Sequence, residues 1–290
     1  MISGLVTGTH RRHVEVELSD GKPLLCTTKG RQLAPTCGDV VDLEQQNTRE
    51  GVVTGIHPRR SAFERADAYK QKTIAANVSL VIGVVAVEPA FNPELIDRWA
   101  VSAEAQDCRF ALALNKTDLP GADRVRASLE PYAVLGYPVL AFAAKRDIAP
   151  LRALVASQQS VVIGQSGMGK STIINALTGT TRAKTGDIST ALDAGKHTTT
   201  STQLHRIDAG TWIIDSPGMK EFGIQQLKDY GLDRAFVEFR PFLGQCRFRN
   251  CVHGTEPGCA IHEAARSGAI AATRLETYHR LRRELEHREH

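Results

Sequence analysis

Over roughly the first 65 residues, apolar and polar positions alternate in short runs. In Val14 to Leu18 the residues Val14, Val16 and Leu18 fall on one face, and the turn Ser19-Asp20-Gly21-Lys22 follows. Similar pieces lie at Leu24 to Thr27, Asp39 to Leu43 and Val52 to Ile56. Together they predict about five short strands, the number in a small OB-like β-barrel, although an SH3-like barrel would read almost the same. From about Thr73 the pattern changes. Unbroken apolar runs at Val78 to Val85, Phe110 to Leu114, Val139 to Phe142, Ser160 to Ile163 and Trp212 to Ile214 are separated by helical stretches such as Glu94 to Gln106. That alternation predicts a parallel sheet covered on both faces. From about Leu227 the chain reads as helical with a Cys- and His-rich insert. It ends in Arg274 to His290, where Leu275, Tyr278, Leu281 and Leu285 recur at helical spacing.

The chain has 290 residues, long for one ordinary domain and sufficient for two or three. With 42% hydrophobic and 23% charged residues it has the composition of a globular protein, which excludes the disordered and fibrous classes. A net charge of +4 permits an RNA partner without requiring one. No apolar run reaches the ~18 residues of a membrane span, and Arg11 and Arg12 stand where an export signal would be apolar, so a cytoplasmic location is expected. In a reducing compartment, three cysteines crowded with a histidine indicate metal and not disulfides. Cys26, Cys37 and Cys108 are scattered and read as buried thiols.

The run Gly164-Gln165-Ser166-Gly167-Met168-Gly169-Lys170-Ser171 fits G-x-x-x-x-G-K-[ST], directly after an apolar strand and before a helix-compatible stretch beginning at Thr172. Such a loop turns backbone N–H groups onto phosphates. Lys170 is expected to reach the β and γ phosphates and Ser171 to ligate Mg²⁺. Asn115-Lys116-Thr117-Asp118 follows the strand Phe110 to Leu114 and fits N-K-x-D. The Asp118 carboxylate can accept from guanine N1–H and the exocyclic amine, a donor pair that adenine lacks, so the nucleotide is GTP or GDP and not ATP. Asp215-Ser216-Pro217-Gly218 fits D-x-P-G, with Asp215 expected near Mg²⁺ and the Gly218 N–H near the γ phosphate. Between these motifs, Gly195-Lys196-His197-Thr198-Thr199-Thr200 reads as a first switch, with Thr199 or Thr200 completing the Mg²⁺ shell.

The order is unusual, because the guanine motif and Ala143-Ala144-Lys145 precede the phosphate loop and both switches. A chain whose natural ends lie close can be rejoined and reopened elsewhere without altering its sheet, so this order describes a circularly permuted GTPase. The second switch then leads directly into the C-terminal module. There Cys246, Cys251, His253 and Cys259, spaced C-x₄-C-x-H-x₅-C, form a set that can close a tetrahedral structural Zn²⁺ site with no open position for catalysis. The neighbouring Arg247, Phe248 and Arg249 are available to RNA or simply solvated.

With these motifs in place, the sequence resembles the bacterial circularly permuted GTPases of the ribosome small-subunit-dependent GTPase A type, over nearly the whole chain. The resemblance rests on Asn115 to Asp118, Gly164 to Ser171, the run 195 to 200, Asp215 to Gly218 and the Cys₃His set. It implies a multidomain chain: an N-terminal OB-like β-barrel over 1–66, a central α/β P-loop GTPase over 67–226 and a helical zinc-binding domain over 227–290. It also implies GTP hydrolysis in late maturation of the 30S ribosomal subunit, contact with 16S rRNA, no membrane or DNA partner, and a monomer. The chain departs from the family pattern at Ala143-Ala144, where a serine is usual, and at Lys196, where an arginine is common.

Many GTPases orient the attacking water with a glutamine just beyond D-x-x-G, but Met219 stands here. Intrinsic turnover is therefore expected to be slow, with His197 the candidate polar group, a role the resemblance also suggests. Two other readings stay open: a GTP-regulated RNA-binding or metal-handling protein with zinc or tRNA as cargo, and a GTP-dependent binding module with negligible catalysis.

Overall fold

The computed structural model describes residues 2–10, 13–30, 32–67, 70–179, 202–215, 224, 227 and 231–287. Five strands open the chain: β1 Ile2–Thr9, β2 Val14–Leu18, β3 Pro23–Thr28, β4 Val40–Gln45 and β5 Glu50–Ile56. Their inward residues Val6, Val14, Val16, Leu24, Cys26, Val41, Leu43 and Val53 make one buried cluster. β1 pairs with both β2 and β4, and β3 pairs in parallel with β5, so the ring runs β1-β2-β3-β5-β4 and closes on β1. A simple meander would pair every neighbour antiparallel. The parallel β3–β5 contact is a Greek-key closure and decides for the OB type over the SH3-like alternative.

A hairpin of β6 Ala62–Asp67 and β7 Lys70–Ala76 follows as a separate two-stranded sheet. The chain then enters β8 Leu80–Ala86, helix α1 Pro93–Glu104 and β9 Arg109–Asn115. Next come α2 Ala122–Ser128, α3 Glu130–Val134, β10 Val139–Ala141, α4 Ala149–Val155, β11 Gln159–Ile163 and α5 Lys170–Thr178. The strands β12 Gln203–Asp208 and β13 Thr211–Asp215 complete the sheet, in the order β10-β9-β8-β11-β13-β12. All its pairings are parallel except β12 with β13. The unbroken apolar runs are explained by burial on both faces. Val81, Val85, Phe110, Leu112 and Leu114 join one core cluster with Trp99 of α1. Leu80, Ile82, Val84, Ala111 and Ala113 join another with Ile173 and Leu177 of α5.

The sequence reading missed β12, whose partner β13 it found. Leu204 is buried in a mostly polar strand, as expected of a sheet margin, and Ala209-Gly210 forms the tight hairpin turn. β12 also joins the two modules, because Gln203 pairs with Gly8 of β1. Side chains reinforce the junction: Gln159 Nε2 donates to the Ala76 carbonyl at 2.8 Å and Asn77 Nδ2 to the Gly38 carbonyl at 2.9 Å.

Beyond residue 231 the described α-helices are α6 Ala260–Arg266 and α7 Ala272–His287, with a 3-10 turn at Val237–Phe242. The connecting stretch is irregular and less helical than the sequence suggested. Phe236, Phe239, Ile261, Leu275, Tyr278, Leu281 and Leu285 form a fourth cluster, which also takes in Val101 of α1 and Ala105 just beyond it. α1 is thus covered by the sheet on one side and by the C-terminal module on the other. The apolar positions of α7 pack inward on the protein.

Candidate functional site

The carboxyl ends of the parallel strands define the first site. Chain order runs outward from β8 to β9 and β10, then returns to place β11 and β13 on the other side of β8, so the switch point lies between β8 and β11. Open α/β sheets bind ligands at that point. The register puts Asn115 beside Ala86, and Asp215 beside Val162, two residues before Gly164.

The glycine-rich loop spans from β11 to the start of α5. Gly164 has no room for a side chain, since a Cβ there would lie 2.5 Å from the Val84 carbonyl oxygen. Gly169 has φ +91° and faces Asn115, whose Nδ2 would lie 2.3 Å from a Cβ. Both are consistent with a backbone cradle packed against the neighbouring strands. Met168 buries its side chain in the core below. Lys170 turns back over the loop, and its Nζ donates to the Gly164 carbonyl at 2.7 Å and the Gln165 carbonyl at 2.9 Å. Ser171 and Thr172 follow it in the first turn of α5 and are partly buried, whereas Ser166 and Gly167 are exposed.

Asn115 brings three segments together. Its Nδ2 donates to the Met168 carbonyl at 3.0 Å, and its Oδ1 accepts from the Ala144 N–H at 3.0 Å. The guanine-type motif, the phosphate-type loop and the segment after β10 therefore meet at one buried amide, which takes the Ala144 N–H from the run Ala143 to Lys145. Lys116 takes a left-handed φ of +61°, and its Nζ donates to the Glu88 carbonyl at 2.7 Å. Asp118 lies 3.6 Å from Arg146 Nη2, and its carboxylate remains partly open to solvent.

Asp215 ends β13 at the same edge. Burial pushes its carboxyl up from the ordinary range, partly opposed by the positive fields of His205 and Lys170. A divalent cation would reverse that penalty, so the carboxylate fits a site completed by a metal such as Mg²⁺. His197, Thr199, Thr200 and Lys196, with Gly218 and Met219, lie outside the described residues.

Two contributors escaped the sequence reading. The loop after β8 reaches Lys116 through Glu88, and Pro89 packs against Gly167, with a Cβ there at 3.2 Å from the proline ring. The Gln165 side chain accepts from the Asn92 N–H at 2.8 Å, tying the glycine-rich loop to the start of α1. Neither follows from a motif, because both partners are brought in by the fold. The Asn-Pro start of α1 is the one local signal in that segment.

The second site is in the C-terminal module. The ligating atoms of Cys246, Cys251, His253 and Cys259 lie within 4.8 Å of one another. His253 Nδ1 is 3.6, 3.6 and 3.4 Å from the sulfurs of Cys246, Cys251 and Cys259, and Cys246 Sγ is 3.9 Å from Cys259 Sγ. A tetrahedron with zinc bond lengths has edges of about 3.5 Å between S and N and about 3.8 Å between sulfurs. The four groups therefore fit Zn²⁺ with no open position. His253 Nε2 lies 3.7 Å from the Asp233 carboxylate, the usual orienting partner of a metal-bound imidazole. The His253 carbonyl is held by His279 Nε2 at 2.6 Å. Arg247, Phe248 and Arg249 are exposed beside this site.

A family model described as RsgA GTPase matches residues 56–225. The Nitrosomonas europaea protein named small ribosomal subunit biogenesis GTPase RsgA is 44% identical over 284 residues, which are 97% of this chain and 90% of that one. The protein of the same name from Neisseria meningitidis serogroup B is 42% identical over 93% of this chain and 88% of its own length. The crystal structure of YjeQ from Thermotoga maritima superposes with a TM-score of 0.74 at 30% identity, covering 98% of both chains. YloQ, described as a circularly permuted GTPase, superposes with a TM-score of 0.75 at 24% identity over 99% of this chain and 96% of its own, and shows the same fold. With the guanine-type motif placed ahead of the phosphate loop yet bonded to it, and with relatives that match almost end to end, this chain belongs to the RsgA GTPase family and is a circularly permuted GTPase.

Proposed function

We propose that this GTPase acts in late maturation of the small ribosomal subunit, binding the immature 30S particle with GTP and leaving after hydrolysis. The observation that carries the reading is the nearly end-to-end match, at 42% and 44% identity, with proteins named for small-subunit biogenesis. In this reading the chain divides into a barrel over 1–66, a GTPase domain over 67–226 and a zinc domain over 227–290, works as a monomer in the cytoplasm, and contacts 16S rRNA. An OB barrel and a metal-stapled module flanking the nucleotide site offer two surfaces for that RNA.

At the nucleotide site, Asp118 reads the guanine edge while Lys116 and Asn115 fix the loops around the base. Backbone amides from Gly164 to Thr172 cradle the phosphates, and Lys170 leaves its loop carbonyls to hold the β and γ groups. Ser171, Asp215 and Thr199 or Thr200 would hold Mg²⁺, which would offset the charge that builds on the phosphates. Water then attacks the γ phosphorus, the bond to the bridging oxygen breaks, and GDP and phosphate leave. Met219 cannot orient that water, so His197 does, once docking on the 30S particle fixes the first switch. Gly218 is assigned to the γ phosphate by its place in D-x-P-G, and Zn²⁺ held by the Cys₃His set would serve as a structural staple.

Hydrolysis measured with GTP and with ATP, each with and without purified 30S subunits, tests base choice and partner together. The expected result is slow turnover of GTP alone and a rise of about tenfold or more on adding subunits. Equal use of ATP, or no response to 30S, would reject the proposal. A His197→Ala chain that binds GTP normally is expected to lose most of the 30S-stimulated rate, and full retention would remove His197 from the mechanism.

A further inference from the structure

Helix α1 runs from the glycine-rich loop at its start to the C-terminal module that carries the metal set. At its start, the Asn92 N–H donates to the Gln165 side chain at 2.8 Å, and the Gln165 carbonyl accepts from Lys170 Nζ at 2.9 Å. One residue of the phosphate loop is therefore bonded to the phosphate-gripping lysine through its backbone and to α1 through its side chain. Farther along, α1 is docked on the C-terminal module by a row of charged contacts. Glu94 pairs with Arg280 and Arg98 with Glu284. Asp97 takes Arg274 Nη1 at 2.6 Å and Thr277 Oγ1 at 2.9 Å. Glu104 takes Arg240 Nη2 at 2.6 Å. Three of these four acidic or basic partners on α1 reach α7, the helix whose His279 holds the carbonyl of the metal-set residue His253.

Lys170 has two sets of partners to choose between. Its ammonium carries three N–H donors, and at least two are committed to the Gly164 and Gln165 carbonyls here. Gripping both the β and γ phosphates takes two donors, so at least one carbonyl must be released. Release of the Gln165 carbonyl lets its backbone shift while its side chain stays keyed to the α1 start.

We propose that Gln165 is a positioning residue that transmits nucleotide occupancy at Lys170 to α1, and through the Asp97–Arg274 contact to α7 and the metal module. The lysine and its carbonyls are the two-state element such coupling requires. Because linkage is reciprocal, disturbing the α1–α7 contact also changes nucleotide affinity.

Amide hydrogen exchange of Tyr278 to Leu285, followed in the metal-loaded full chain with and without a non-hydrolysable GTP analogue, tests the proposal. The analogue is held at a concentration that saturates each protein, so that altered affinity does not enter the comparison. In the unaltered chain, the analogue is expected to slow this exchange about threefold or more. Gln165→Leu, which removes the acceptor, is expected to abolish the α7 response while α5 and the phosphate loop still gain protection. Gln165→Glu, which restores an acceptor of the same length, is expected to recover it. The proposal is overturned if α7 exchanges alike with and without the analogue in the unaltered chain, or if Gln165→Leu responds as fully as that chain.

Discussion

Asn115 shows how much of the pocket rests on single polar atoms. Its amide is buried, donates to one loop and accepts from another. Truncating it to alanine leaves the Met168 carbonyl and the Ala144 N–H without partners, each costing about 1–3 kcal/mol when buried. Asn115→Ala is expected to weaken GTP and GDP alike by about 10- to 100-fold, read by calorimetry, since the loss falls on loops shared by both. At this scale the sequence was informative wherever the chemistry is local. Glycines at fixed spacing before Lys170, and thiols a few positions from His253, are required by ligands contacting consecutive residues. The bond from Asn115 to Met168, 53 positions away, and that from Asn92 to Gln165, 73 away, carry no such signature.

Among the elements, α1 has the largest burden, since it covers one face of the sheet and also carries the C-terminal module. Its polar face buries Asp97, an arrangement that a helix at the protein surface would not tolerate. Arg274 resolves it by bridging Asp97 and Glu238, with side-chain exposures of 7%, 9% and 6%, while its guanidinium stacks over Phe236 at 4.6 Å. Tyr132 of α3 adds a hydrogen bond to Asp97 at 2.8 Å. Removing the cation leaves two buried carboxylates facing each other, so Arg274→Ala is expected to cost about 3–5 kcal/mol in chemical denaturation. Pairing that change with Asp97→Asn and Glu238→Gln should recover part of the loss, because the charges it strands are then gone. Amphipathic spacing made α7 legible as a packed helix. Its partner was not legible, because a buried Arg274 and an exposed arginine read the same in sequence.

In the whole molecule, the barrel meets the sheet through the β1–β12 pairing at Gly8 and Gln203 and the bonds of Gln159 and Asn77, and the C-terminal module meets it through the α1–α7 row and Val101. The C-terminal module has an irregular stretch from 243 to 259 with little regular structure of its own. A metal ion held by the four convergent side chains would supply the missing constraint, as metal binding and folding are coupled in small modules. A strong chelator is expected to melt residues 231–287, seen as lost helical ellipticity and rapid amide exchange in α6 and α7. The barrel should keep its protection, since its core of Val6, Val16, Leu24, Val41 and Leu43 shares nothing with that module. Loss of protection throughout the chain would mean that the metal stabilises more than its own module.

The sequence by itself indicated the chemistry: a phosphate-type loop, a guanine-type motif and four side chains that could hold a metal, in an order that announces permutation. Each depends on residues close along the chain, where spacing alone constrains geometry. It also determined the classes of the layers, because burial on one or both faces leaves a period in the apolar pattern. Only the tertiary structure decided the parallel β3–β5 closure that makes the barrel an OB fold, the β12 bridge between barrel and sheet, and the burial of Asp97 against Arg274. These are pairings between distant segments, selected by which surfaces can satisfy one another's backbone groups and charges, and that selection is made only once the chain is folded.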